Sequence, residues 1–289
     1  MSAHRGRRGV FLSARFLVIA LLSAALLAFV AIKISSLTQL FQAPSSTTPR
    51  QSITESKRRP VIVVFGDSLT ERGTEDPAGW VSRLSSAYAR KADVLNRGYN
   101  GYNTKWAIKY CLDEVIALKP DFVIIFFGAN DAVFETVPQF VSVDEYKSNL
   151  ATIVNAIKNA LGAKTYILLV TPPQVDTGML MEYNTRKKKQ LLLDRSNERT
   201  SLYAKACMDV AALMQGEDTS ADQHIAAADA FASLNHKRFL VDGLHLSDEG
   251  HVQLFELLCG VIRLHLPAMH ASQIPIFGAT WGDVALTAN

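Results

Sequence analysis

The sequence predicts a three-layer α/β domain, a parallel sheet with helices on both faces, and three observations lead there. Short, nearly continuous apolar runs at Val61 to Phe65, Asp93 to Leu95, Phe122 to Phe127 and Tyr166 to Val170 read as strands buried on both faces. Between them, Trp80 to Arg90, Trp106 to Leu118 and Tyr146 to Leu161 carry apolar residues at helical spacing, as in Ile108, Cys111, Leu112 and Val115. Further helical patterns follow near Asn197 to Met214 and Ser247 to Leu264. Alternation of this kind makes the sheet parallel. With 289 residues, 48% hydrophobic and 20% charged, the chain supports one domain of about 200 to 250 residues plus appendages.

The first appendage is N-terminal. Residues 1–15 are basic, with Arg5, Arg7, Arg8 and Arg15, and Phe16 to Ile32 holds no charge. That run is at the short end of a bilayer span. The arginines keep the N-terminus cytoplasmic, so residues 16–32 read as a signal-anchor and the chain as a type II, single-pass membrane protein, its catalytic domain lumenal or extracellular. Two readings compete. One is a cleaved signal peptide, although neither Ala28 nor Ala31 has a small residue two places before it. The other is a mitochondrial presequence, since nothing acidic precedes Glu55. Residues 33–59, with APSSTTPRQS at their centre, read as a flexible tether. The globular domain is 60–266. The tail, 267–289, has no periodicity and drapes over the domain or is disordered.

The first strand stops at Gly66-Asp67-Ser68, placing a hydroxyl at its carboxyl end, where sites form in parallel α/β sheets. Alone this is also ordinary turn or helix-cap chemistry. Three other stretches reach the same edge. NRGYNGYNT, from Asn96 to Thr104, has paired glycines that let backbone N–H groups point outward. FFGANDA, from Phe126 to Ala132, brings Asn130. VDGLHLSDEGH, from Val241 to His251, brings Asp242 and His245 three residues apart.

These four stretches together resemble the SGNH hydrolase superfamily, the GDSL esterases and lipases. FGDSLTERG resembles its serine block, RGYNGYNT its glycine block, GAND its asparagine block and DGLH its Asp-x-x-His block, in matching order from about Val61 to Leu264. NRGYNGYNTKWA, FFGANDA and YAKACMDVA are similar to the isoamyl acetate-hydrolysing esterase branch. The resemblance implies a flavodoxin-like parallel sheet of about five strands, no metal, no nucleotide cofactor, and hydrolysis of small acyl esters or lipids through a serine.

The same residues make chemical sense. Ser68 needs a base to attack a carbonyl, and His245 takes its proton and returns it to the leaving alcohol. Asp242 accepts the other imidazole N–H and stabilises the cation that forms. The backbone N–H groups of Ser68 and Gly101 and the amide of Asn130 are the expected oxyanion donors.

Other residues receive plainer readings. Asp67 and Asp131 hold loops by hydrogen bonds. His251 is a first-turn surface or packing residue, Trp80 and Trp106 are helix-packing anchors, and Asn197 is an N-cap. Arg186 to Lys189, RKKK, lies in a long connection, Thr171 to Ser196, as a solvated loop or a contact for anionic headgroups. Cys111, Cys207 and Cys259 lack metal-ligand spacing and read as buried thiols. A fifth strand is poorly marked, because ADQHIAAADAFASLN is Ala-rich and helix-like.

Net charge of +3 argues against a nucleic-acid partner, and neither G-x-x-x-x-G-K nor G-x-G-x-x-G follows any strand. Two other function classes stay open: an O-acyltransferase on the same scaffold and a catalytically silent, membrane-tethered binding module.

Overall fold

The computed structural model describes residues 58–75, 79–191, 193–217 and 224–282. The basic N-terminus, the anchor expected at 16–32 and nearly all of the expected tether, 33–59, fall outside them. Among the described residues no helix is long and apolar enough to cross a membrane.

Five parallel strands form one sheet: β1 (Val61–Gly66), β2 (Asp93–Gly98), β3 (Phe122–Phe126), β4 (Tyr166–Val170) and β5 (Ile225–Ala228). Their order is β2-β1-β3-β4-β5, the flavodoxin-like order, with its switch point between β1 and β3. Val64 lies beside Asn96 on one side and Ile124 on the other, so β1 is an interior strand.

The helices are α1 (Ser68–Glu71), α2 (Trp80–Ala87), α3 (Thr104–Tyr110), α4 (Leu112–Ala117), α5 (Val143–Leu161), α6 (Thr177–Arg186), α7 (Asn197–Glu217), α8 (Ala230–Ser233) and α9 (Asp248–His265). Alternate strand residues divide between two cores. Ile62, Val64, Ile124 and Leu168 pack against Trp80 and Leu84 of α2 and Leu254 and Leu258 of α9. Val63, Phe65, Ile125 and Leu169 pack against α3, α4, α5 and α7. Burial on both faces is why these strands read as unbroken apolar runs.

Three elements differ from expectation. The helix expected over Trp106 to Leu118 is two, α3 and α4, broken at Cys111, where ψ of −23° at φ −129° leaves the helical region. The connection from Thr171 to Ser196 contains α6, capped by Asp176, whose side chain accepts from the Met179 N–H. Ile225–Ala228 is β5: pairing with β4, Ile167 beside Ile225, overrides the helical preference of its alanines. Small side chains suit a strand pressed between α7 and α9.

The tail, as far as it is described, lies against the turn that follows α2. Met269 and Ile274 are buried, the Tyr88 hydroxyl donates to Met269 O at 2.6 Å, and Arg90 Nη2 donates to Ala279 O at 2.7 Å. Residues 283–289 lie outside the described set.

Candidate active site

The site is built at the carboxyl edge of the sheet. As β1 ends, Asp67 leaves the strand with φ −95° and ψ −151° and caps α1, its Oδ1 accepting from the Leu69 N–H at 2.9 Å. Ser68 is thereby the first helical residue, a position whose N–H has no acceptor within the helix. Its side chain is largely buried.

The Asp-x-x-His stretch forms a turn closed by an antiparallel bridge between Leu240 and Leu246 and by the Val241 N–H donating to His245 O at 2.9 Å. Inside it, Asp242 Oδ1 accepts from the backbone N–H groups of Leu244 and His245, at 3.0 and 2.8 Å. Asp242 Oδ2 lies 2.8 Å from His245 Nδ1. His245 Nε2 lies 3.1 Å from Ser68 Oγ, across 177 residues of sequence. Burial alone would raise the Asp242 carboxyl, but the His245 imidazole and the two backbone donors outweigh it and hold it at about 2.

What holds the turn is Gly243. Its φ is +90°, and a Cβ there would meet Asp176 O at 2.4 Å and Leu180 N at 2.5 Å, so only glycine lets the first turn of α6 press on the Asp242–His245 turn. The Asp176 N–H donates to Gly243 O at 2.9 Å. One residue earlier, Val175 is gripped by Asn197, which accepts from its N–H at 2.7 Å and donates to its C=O at 2.8 Å. Asn197 is therefore not the cap expected of it. Ser196 fills that place, its Oγ accepting from Arg199 N and its carbonyl from Thr200 N.

Gly101 and Asn130 sit on neighbouring loops. Gly101 has φ +79°, which glycine adopts without strain, and follows β2, the partner of β1. The amide of Asn130 donates one N–H to Tyr102 O at 2.9 Å, leaving the other for a ligand. The serine and glycine loops are joined in turn: Asn100 N donates to Glu71 Oε2 at 2.6 Å and Asn96 Nδ2 to Thr70 O at 3.0 Å. Asp131 accepts from both the N–H and the hydroxyl of Thr104, tying the asparagine loop to α3.

Sequence reading missed Arg195. Its guanidinium is buried, forks onto Asp194 at 2.8 and 3.0 Å, and donates through Nη1 to Ala129 O at 2.9 Å, immediately before Asn130. No local pattern in DRSN announces this, since the partner carbonyl is 66 positions away.

Asp67 and Asp131 do hold loops, and burial pushes both carboxyls up to about 7. In Asp67 the Leu69 N–H opposes this and the Asp131 charge adds to it; in Asp131 the Thr104 hydroxyl and N–H oppose it. His251 is buried in the first turn of α9, a packing residue rather than a surface one. Trp80 is a full packing anchor, donating to Leu69 O at 2.9 Å, whereas Trp106 is only half-buried and meets Tyr102 edge-on. Cys111 and Cys207 are buried and Cys259 only partly so. Arg186 ends α6, and Lys187 to Lys189 follow it exposed.

Two concavities mark the opposite edges of the sheet. A cavity of about 180 Å³ opens on Ser68 and His245. A larger one, about 550 Å³, lies at the amino ends of the strands beside Pro60, Asp121 and Tyr166, remote from this chemistry.

Comparison with known proteins agrees with the geometry. The profile of the GDSL-like Lipase/Acylhydrolase family matches residues 64–253. A GDSL esterase/lipase of Arabidopsis thaliana is 38% identical over 68% of this chain and 82% of its own. An isoamyl acetate-hydrolyzing esterase 1 homolog of Mus musculus is 35% identical over 78% and 88%. The crystal structure of a lipase/acylhydrolase from Enterococcus faecalis superposes with a TM-score of 0.56 at 27% identity, covering 76% of this chain and all of that one. The chain belongs to the GDSL-like lipase/acylhydrolase family and is a carboxylic ester hydrolase.

Proposed function

We propose that the chain hydrolyses esters through an acyl-serine intermediate on Ser68. One observation carries this reading, the continuous hydrogen-bonded line from Asp242 through His245 to Ser68 Oγ. As Oγ bonds to the ester carbonyl carbon, its proton passes to His245 Nε2. The bond from carbon to the alcohol oxygen then breaks, and the same proton goes to the departing alkoxide. Water repeats the sequence on the acyl-serine, releasing the acid and restoring Ser68. Asp242, ionised throughout the working range, orients the imidazole and offsets its transient charge. The oxyanion is met by the N–H groups of Ser68 and Gly101 and by the second N–H of the Asn130 amide, each contributing about 3 kcal/mol to the transition state.

Ser68→Ala tests this. Its kcat/KM on a simple acetate ester should fall at least about ten-thousand-fold while the melting temperature holds; comparable turnover in the folded variant would remove Ser68 from its role. Transfer to an acceptor alcohol would use the same acyl-serine, and a fall in free-acid release on adding alcohols would reveal it.

For residues 16–32 the reading remains an uncleaved anchor, supported by the charge-free run and the arginines before it. Carbonate-washed membranes should retain the full chain and release a chain lacking residues 1–57; release of both would discard the anchor.

A further inference from the structure

We propose that the 180 Å³ cavity beside Ser68 is the leaving-group subsite and that it takes a small hydroxylated alcohol, held by Arg72, Glu75 and Asp248. This rests on the acyl-serine reading above. Its first step is positional. The departing oxygen must come within reach of His245 Nε2 to receive the proton, so the alcohol lies on the histidine side of the acyl carbon. The cavity is walled by Ser68, His245 and Leu246, and by neither Gly101 nor Asn130, the residues assigned to the oxyanion. It is on the alcohol side.

The second step is chemical. Arg72 follows α1 directly and is half-buried, while Glu75, one turn further, and Asp248, which opens α9, are exposed; all three line the cavity, beside the apolar Leu69, Val241 and Leu246. Among the described residues none of the three forms an ion pair. An aliphatic alcohol seated here would strip water from the half-buried Arg72 guanidinium and return no hydrogen bond, a cost that a hydroxylated alcohol of equal size avoids. A guanidinium donates, two carboxylates accept, and a polyol offers both functions at each hydroxyl. The volume corresponds to about six waters, room for an alcohol the size of glycerol.

Glycerol monoacetate and isoamyl acetate test this, because they deliver the same acetyl group to Ser68 and their alcohols have equal numbers of heavy atoms. With the full-length chain in detergent, kcat/KM should favour glycerol monoacetate by about tenfold. Arg72→Leu should erase most of that ratio. Asp248→Asn, at an exposed helix start, should lower it several-fold and serves if Arg72→Leu fails to fold. A wild-type preference for isoamyl acetate, or a ratio unmoved in a folded variant, overturns the subsite while Ser68→Ala remains inactive on both esters. Turnover of both esters by Ser68→Ala overturns the acyl-serine reading and the subsite with it.

Discussion

Asp242 and the pair Asp67 and Asp131 are buried carboxyls with opposite behaviour, and their partners decide which way each goes. Asp242 faces an imidazole and two N–H donors, so its carboxyl falls from 3.8 to about 2; the stability it contributes is present above pH 3.8 and lost as pH falls through about 2. Asp67 and Asp131 have too few donors for their burial, each with one oxygen, Oδ2, lacking a partner, and they rise to about 7. Between about pH 4 and 7 the folded state then binds more protons than the unfolded one, so these two groups make stability fall as pH rises through that window. Asp131→Asn keeps the acceptor used by Thr104 and removes the titration. Its melting temperature should therefore gain on wild type from pH 5 to about pH 7 and level off above that, and parallel curves would show that Asp131 is not held protonated. The meeting of Ser68 with Asp242 and His245 was legible in the sequence, Ser68 because it directly follows β1, and Asp242 and His245 because they stand three residues apart in one contiguous turn. Arg195 and Asn197 were not, since their roles depend on carbonyls and amides 66 and 22 positions away.

At the scale of elements, α6 buttresses the catalytic turn through Gly243. Gly243→Ala adds a methyl where 2.4 Å separates it from Asp176 O, at a φ of +90°, and should cost about 3 kcal/mol while lowering kcat by displacing His245. Gly101→Ala is the natural comparison: its φ is +79°, yet a Cβ there meets nothing within 4 Å, so only the backbone penalty of about 1 kcal/mol remains. Equal losses of melting temperature in the two variants would remove the buttress. β1, β3 and β4 were legible because burial on both faces makes them continuous apolar runs, whereas β2, a half-buried edge strand, showed only the short stretch Asp93 to Leu95. β5 was not, because IAAA becomes a strand only through its partner β4. Nor was α6, whose mixed surface carries no clean apolar stripe; its only sequence mark is the cap Asp176 ahead of Met179.

For the whole molecule, the sheet separates chemistry from bracing. Ser68, Asp242 and His245 meet at the carboxyl edge, while the tail lies against the turn after α2, where Lys91 Nζ donates to Ala271 O at 2.6 Å and Phe277 N to Arg90 O at 2.7 Å. Ending the chain at Leu266 uncovers the contacts of Met269 and Ile274 and should cost about 3 kcal/mol of stability, with kcat/KM unchanged below the lowered melting temperature. A large loss of activity in the folded, shortened chain would tie the tail to the site. Ser68 is proposed to carry the acyl group, and an alkyl fluorophosphonate reads out the acylated residue itself. It should label the native chain once, stop turnover in proportion, and appear by mass on the peptide containing Gly66-Asp67-Ser68, with no label on Ser68→Ala; a label on another peptide, or full labelling of Ser68→Ala, would contradict the account.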